Sequence, residues 1–187
     1  TMPLALHGVI AKKDGTTVKV SIGDKPEDPV FGVSDLLIHL SGEQMEKKGA
    51  KVIEGENLDL LIGSIPLPSD DEKEQAKDAV KANVLRILEE TYGVCEEDFL
   101  SAEIEVVPAG AARDYGFDRS MIMGYGHDDR VCAYPSFEAI LNMDKPERTS
   151  VCLLVDKEEI GSVGATGMQS RCFENAVAEV LNLTGTY

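Results

Sequence analysis

The sequence predicts a mixed protein in two parts, a β-rich α+β module followed by an α/β segment. Three observations predict it. Residues 4–10 read as a strand and residues 17–22 alternate apolar and polar, on either side of an Asp14-Gly15 turn, which is the pattern of a β-hairpin. Residues 69–91 form one long amphipathic stretch of helical period. At residues 108–116 the composition shifts to small, turn-forming residues, and beyond them the pattern becomes loop, helix, strand, loop, helix.

The first expected strand is Leu4-Ala5-Leu6-His7-Gly8-Val9-Ile10, and residues 17–22 return beside it. Residues 23–29 are a polar loop. Residues 34–40 suit either a short helix capped by Ser34 or a buried strand, and residues 43–49 read as loop or a frayed helical turn. Residues 58–65 are expected as a strand closed by Pro66 and Pro68. The helix of residues 69–91 opens on a Ser69-x-x-Glu72 capping box, with Asp70, Asp71 and Glu72 against the positive end of its dipole. Ala76, Val80, Val84, Ile87 and Leu88 form its apolar face, and Gly93 supplies the left-handed stop. Residues 99–107 alternate as a further strand.

Past the compositional shift, a helix is expected over residues 131–142, with Phe137, Ile140 and Leu141 facing inward. Pro135 predicts either a kink or a true start near Tyr134. A last helix over about residues 168–183 carries Cys172, Phe173, Ala176, Val177, Val180 and Leu181 as its inward stripe, with Gly185 closing it. No internal repeat or low-complexity tract appears.

Net charge is −16, from 34 acidic against 18 basic residues. That balance argues against nucleic acid or an anionic membrane as partner, since both call for a basic footprint. No apolar run approaches the about 20 residues that span a bilayer, and the first residues show no secretory signal pattern. Cys95, Cys132, Cys152 and Cys172 are widely spaced without a C-x-x-C pair, so reduced core thiols in a cytoplasmic setting are expected.

Chemistry concentrates after the apolar run Ser150-Val151-Cys152-Leu153-Leu154-Val155, which reads as a buried strand. It delivers the adjacent acids Glu158 and Glu159 to a stretch carrying Gly161, Gly164 and Gly167. Ligands bind beyond the carboxyl ends of strands in α/β sheets. Two acids there read either as a solvated turn or as a metal ligand beside a general base.

Thirty residues upstream of Glu158 lies Gly126-His127-Asp128-Asp129-Arg130. An Asp-Asp-Arg entering a helix, followed at that spacing by Asp156-Lys157-Glu158-Glu159-Ile160-Gly161-Ser162-x-Gly164-Ala165-x-Gly167, resembles the aspartyl aminopeptidase and vacuolar aminopeptidase I family of dinuclear zinc metallopeptidases. Leu37-Ile38-His39-Leu40 resembles part of the insert that dimerises those enzymes. The fold class is then a β-rich dimerisation insert (residues 1–112) followed by the central part of a zinc-peptidase α/β catalytic domain (113–187).

The resemblance implies roles. Asp128 matches the carboxylate bridging two zinc ions, and Glu159 a terminal zinc ligand. Glu158 matches the general base for the bridging water. His39 matches a histidine that reaches into the neighbouring subunit's site to stabilise the oxyanion. Asp129 matches a group orienting the bridging acid, while Gly161 and Ser162 match the loop that approaches substrate. Two zinc ions are implied as cofactors, with cobalt or manganese as alternatives. The implied partners are a peptide substrate and further copies of the chain, a dimer that relatives build into a dodecamer. His127-Asp128-Asp129 also fits a His-x-Asp zinc motif as a string, but the family places that motif on a strand far upstream.

Each residue has a plainer reading. Without the motif, His39 is a packed histidine, the glycines serve the turn alone, and the acids of residues 69–91 form a solvated face. The family's upstream His-x-Asp, later aspartate and C-terminal histidine find no counterpart, so the chain is expected to be an internal portion of such an enzyme, binding zinc weakly and inactive by itself. Two function classes stay open: part of a zinc aminopeptidase, or a non-catalytic oligomerisation module with a vestigial site. A peptidase of the glutamyl or tetrahedral aminopeptidase type fits less well, because it lacks the Ile-His-Leu insert.

Overall fold

The computed structural model describes residues 2–34, 37–68 and 78–185. The chain divides into two compact units, Thr1–Tyr125 and Gly126–Tyr187. Helices and sheets are mixed, as expected.

The first unit is organised on β1 (Leu4–Ala11). It is the central strand of an antiparallel sheet, with β2 (Thr17–Ile22) on one side and β5 (Ala102–Pro108) on the other. The expected hairpin is present. Its turn is locked where Asp14 accepts from both the backbone N–H and the hydroxyl of Thr16, at 2.9 and 2.6 Å. Register follows from that short turn, pairing Ile10 with Val18 and Leu6 with Ile22. On the other side Ile10 pairs with Ala102 and Leu4 with Pro108. Side chains from these strands, Ala5, Ile10 and Val107, are buried.

Two close approaches require glycine. A Cβ on Gly8 would lie 2.0 Å from the carbonyl oxygen of Glu103 in β5, and one on Gly23 would lie 2.9 Å from Ala5. Gly23 also has φ +107°, which lets the chain leave β2 and cross over β1.

Between the sheet strands the chain is irregular. A two-stranded ribbon pairs β3 (Gly32–Val33) with β4 (Leu60–Leu61). Around it lie 3-10 turns at Ile38–Leu40, Gly49–Lys51 and Gly55–Asn57, with a single helical turn α1 (Gly42–Met45). Residues 34–40 thus resolve as a 3-10 turn in their described part, and the strand expected over residues 58–65 shrinks to two residues. Short partners on a loop-rich segment leave most of its backbone without a ladder.

The long helix is observed as α2 (Ala79–Tyr92). The expected capping box at Ser69 lies outside the described residues. Gly93 closes α2 with φ +63°, its N–H reaching the Glu89 carbonyl at 2.9 Å, and the chain turns to bury Val94. Asn83 donates to the Ile65 carbonyl at 3.0 Å and the Ala79 carbonyl accepts from Leu67 N–H at 2.9 Å, fastening α2 to the segment before it. A 3-10 helix, Glu96–Ser101, then leads into β5. Asp98 caps it by accepting from Cys95 N–H at 3.0 Å, a bond that holds the Asp98 carboxyl below its ordinary range.

Residues 108–116 are more structured than their composition predicts. Arg113–Tyr115 (β6) pairs with Met121–Met123 (β7) in an antiparallel hairpin. Asp118 supports the turn by accepting from the N–H and hydroxyl of Ser120. The signal lay in the turn residues Gly116 and Asp118, with φ +88° at Gly116.

In the second unit, α3 (His127–Leu141) and α4 (Cys172–Thr184) match the two expected helices. Pro135 sits inside α3 without breaking it; the non-helical dihedrals fall instead at Asp128 and Asp129. Gly185 closes α4 with φ +66°.

Further expectations are overturned, first among them the inward face of α3, whose Phe137 and Leu141 are exposed. Residues 151–155 form no strand, and Val151, Leu153 and Leu154 are 70%, 45% and 56% exposed. A strand exists through its ladder, and no described segment pairs with this one. The α4 stripe is not core either: Phe173, Val177, Val180 and Leu181 are all exposed, and no other described element packs extensively on it. Finally, the four cysteines are unpaired, as expected, but Cys95, Cys132 and Cys172 are exposed and Cys152 half-buried, so they are not core thiols.

The approach of β1 to β5 yields a prediction. Gly8→Ala forces a methyl group against a backbone carbonyl that cannot swing away, and destabilises the first unit by about 1–3 kcal/mol, as overpacking does. Equilibrium urea unfolding of both proteins measures it.

Candidate metal and catalytic site

The second unit brings together two segments far apart in sequence. The first is the head of α3. Gly126 takes a left-handed conformation with φ +86°, and Asp128 and Asp129 follow on extended or bridging backbone before the helix proper begins. The peptide between these two aspartates is cis. Asp128 is therefore held at the mouth of a helix, not along its side.

The second segment is the turn after residues 151–155. Gly161 N–H donates to the Glu158 carbonyl at 2.9 Å, and Ser162 N–H donates to the Lys157 carbonyl at 2.7 Å. These nested bonds close a tight turn around Glu158 and Glu159. The turn uses four positive φ angles: Lys157 (+72°), Gly161 (+86°), Ser162 (+62°) and Gly164 (+151°). Two of those residues are not glycine, and the left-handed region costs about 1–2 kcal/mol for a residue bearing a Cβ. Compensating bonds come from beyond the turn. Gln169 donates its backbone N–H to the Ser162 carbonyl at 3.3 Å and its side-chain Nε2 to the Gly161 carbonyl at 2.5 Å. Gly167 passes so close to Ser162 that a Cβ there would lie 2.3 Å from the Ser162 carbonyl oxygen.

These two segments meet through carboxylates. The side chains of Glu159 and Asp128 lie within hydrogen-bonding reach of one another. The charge on Asp128 raises the Glu159 carboxyl above its ordinary range, with Glu158 adding to the effect and Asp129 contributing least. The negative charges of Asp128, Glu158 and Asp129 thus all act on the exposed Glu159 carboxyl. Such an arrangement is relieved by sharing a proton or by a cation.

The donors fit a metal in part. Asp128 and Glu159 offer carboxylate oxygens, which serve Zn²⁺ as well as harder divalent ions. Among the described residues no group of three or more His, Cys, Asp or Glu side chains is arranged to hold a metal ion. Asp128 and Glu159 by themselves, two oxygen donors, would make only part of a coordination sphere.

The predicted site residues fall into two groups. Asp128, Asp129, Glu158, Glu159, Gly161 and Ser162 all belong to the second unit, where Asp128 and Glu159 are in reach of each other. His39 belongs to the first unit, in the Ile38–Leu40 turn. It lines an open cavity of about 730 Å³ with Leu40, Gln44, Lys47, Ile53 and Asn57, so it is not a packed core histidine. Lys157 and Gln169 did not stand out in the sequence. Lys157 precedes the acids with its side chain only 14% exposed beside Asp156. Gln169 lies in a polar stretch without periodicity, and no sequence signal marks its bond to Gly161.

The acidic motif on this scaffold points to a class, the zinc metallopeptidases, and comparison with known proteins places the chain in a family of that class. The profile of the aminopeptidase I zinc metalloprotease (M18) family matches residues 1–186. A probable M18 family aminopeptidase 1 of Clostridium acetobutylicum is 63% identical over 187 residues, covering all of this chain and 39% of that protein. Its counterpart in Thermotoga maritima is 49% identical over 185 residues, with 99% and 39% covered. The crystal structure of the Thermotoga maritima M18 aminopeptidase superposes with a TM-score of 0.81, covering 100% of this chain and 40% of that one. Aminopeptidase I from Clostridium acetobutylicum gives 0.77 at 63% identity, with 97% and 39% covered. The chain belongs to the M18 zinc metalloprotease family, and it spans about two fifths of the length of the relatives it matches.

The contact of Gly167 with Ser162 is testable. Gly167→Ala places a methyl group into a backbone carbonyl and opens the turn, costing about 1–3 kcal/mol. Amide hydrogen exchange reads the outcome as faster exchange at Gly161 and Ser162.

Proposed function

We propose that the chain carries part of the catalytic centre of a metallo-aminopeptidase, which hydrolyses the N-terminal residue from peptides. The observation that carries this reading is the meeting of Asp128 with Glu159, with Glu158 beside them, inside the motif shared with the M18 family.

In this reading Asp128 and Glu159 hold the metal, of which the complete enzyme binds two ions, zinc first and cobalt or manganese as alternatives. When bound, the metal lowers the pKa of water and polarises the scissile carbonyl. Glu158 is the general base. It neighbours a ligand in sequence but keeps its own carboxylate free to take a proton from the attacking water and return it to the leaving amine. Asp129 orients Asp128, and Gly161 and Ser162 form the wall against which the substrate backbone lies.

Residues 1–112, which make up most of the first unit, are proposed as the dimerisation insert, and residues 113–187, including the β6–β7 hairpin, as the catalytic portion. Leu37, Ile38, Leu40, Ile53, Leu61 and Ile62 are all exposed, an apolar surface of the kind that marks a protein interface. Within the homo-oligomer, a dimer or a dodecamer of dimers, His39 reaches the site of the neighbouring subunit and stabilises the oxyanion. A cytoplasmic setting agrees with four unpaired cysteines. Among the described residues no helix is long and apolar enough to cross a membrane.

A second reading is an oligomerisation module with a vestigial site, for which the exposed apolar side chains of residues 37–62 speak equally. One substitution separates the two. In the complete peptidase, Glu158→Gln lowers kcat by at least about 100-fold, the scale of general-base catalysis, while metal content stays unchanged. An unchanged rate supports the vestigial reading. The 187-residue chain by itself is expected to bind zinc weakly and to release no amino acid from leucyl- or aspartyl-anilides.

A further inference from the structure

The two acids Glu158 and Glu159 are not fixed by a sheet. Residues 151–155 make no ladder, so the turn of residues 157–162 must be oriented from elsewhere. The backbone bonds inside the turn set its shape but not its direction. Direction comes from whatever joins the turn to a rigid element.

Gln169 is that join. It lies three residues before α4, whose first residue is Cys172. Its backbone N–H bonds the Ser162 carbonyl and its side chain bonds the Gly161 carbonyl, so one residue grips two consecutive peptide units. Two points of attachment remove rotation as well as translation. Gly161 is in turn bonded through its N–H to the Glu158 carbonyl. The path from the helix to the acids is therefore short: α4, Gln169, the Gly161 peptide, Glu158, Glu159. The nearby Gly167 allows the close passage that brings Gln169 within reach.

We propose that Gln169 is a positioning residue, which holds the Gly161–Ser162 peptide so that Glu159 faces Asp128 and Glu158 stands beside them. It touches neither metal nor substrate and acts through the turn. This rests on the metal reading given above, and it adds a residue that the motif comparison did not single out.

The test uses the complete peptidase with Co²⁺ as probe, because the visible spectrum of bound cobalt reports ligand geometry and the 187-residue chain alone is expected to bind metal weakly. Gln169→Met keeps length and polarity-free bulk but cannot donate, and Gln169→Leu repeats the loss with a different shape should one variant fold poorly. Glu159→Gln serves as the control for the ligand itself. The expected result is that Gln169→Met weakens cobalt binding about tenfold, at the lower end for residues that support metal ligands, and changes the spectrum, with circular dichroism unaltered. A Gln169→Met enzyme identical to wild type in affinity and spectrum, while Glu159→Gln loses both, overturns the role of Gln169 and leaves the metal reading standing. A wild-type enzyme with no cobalt spectrum and no response to Glu159→Gln overturns both together.

Discussion

Asp128 and Glu159 meet although both are acids, and the second unit is arranged around that meeting. One arrives on the non-helical head of α3 and the other on a turn of left-handed residues. The conformation of the turn, with Lys157 and Ser162 left-handed, is not what its local sequence would choose in isolation. Strain of this kind persists where surrounding bonds over-determine it, and it gathers at sites that do chemistry. Here the bonds are those of the turn itself and the two from Gln169. Like-charge crowding gives the site its character: a place that holds a proton too readily or a cation well.

The first unit solves a different problem. Its sheet is fixed by short-range turn chemistry and by a backbone approach at Gly8 that no side chain permits. Its loop-rich half, residues 34–65, has little ladder and many exposed apolar side chains. A surface of that sort is poorly suited to water and well suited to a second protein surface. The cavity that His39 lines opens in the same region, so the histidine is available at the place where an interface would form.

Much of this was legible in sequence wherever the determinant is local. Asp14-Gly15 and Thr16 specify the hairpin, Gly93 and Gly185 end their helices, and the apolar period of residues 80–88 locates α2. Asp128, Glu158 and Glu159 stood out for another reason: they stand in a motif whose order and spacing are distinctive. What failed was the inference from apolar composition to burial. Residues 151–155 have the make-up of a buried strand and α4 has a well-formed stripe, yet burial needs a partner surface, and composition does not say where that surface lies. The β6–β7 hairpin was hidden because three-residue strands carry too little alternation to read. Gln169 was hidden because a side chain reaching back eight residues to a carbonyl leaves no periodic trace.

The most direct test of the account is to crystallise the chain with zinc and collect diffraction data on both sides of the zinc absorption edge. The account predicts an anomalous peak about 2.0–2.2 Å from carboxylate oxygens of both Asp128 and Glu159, the normal zinc–oxygen distance. A peak elsewhere, with Asp128 and Glu159 in contact and no zinc between them, would contradict it. The two acids would then be sharing a proton, and their meeting would say nothing about catalysis.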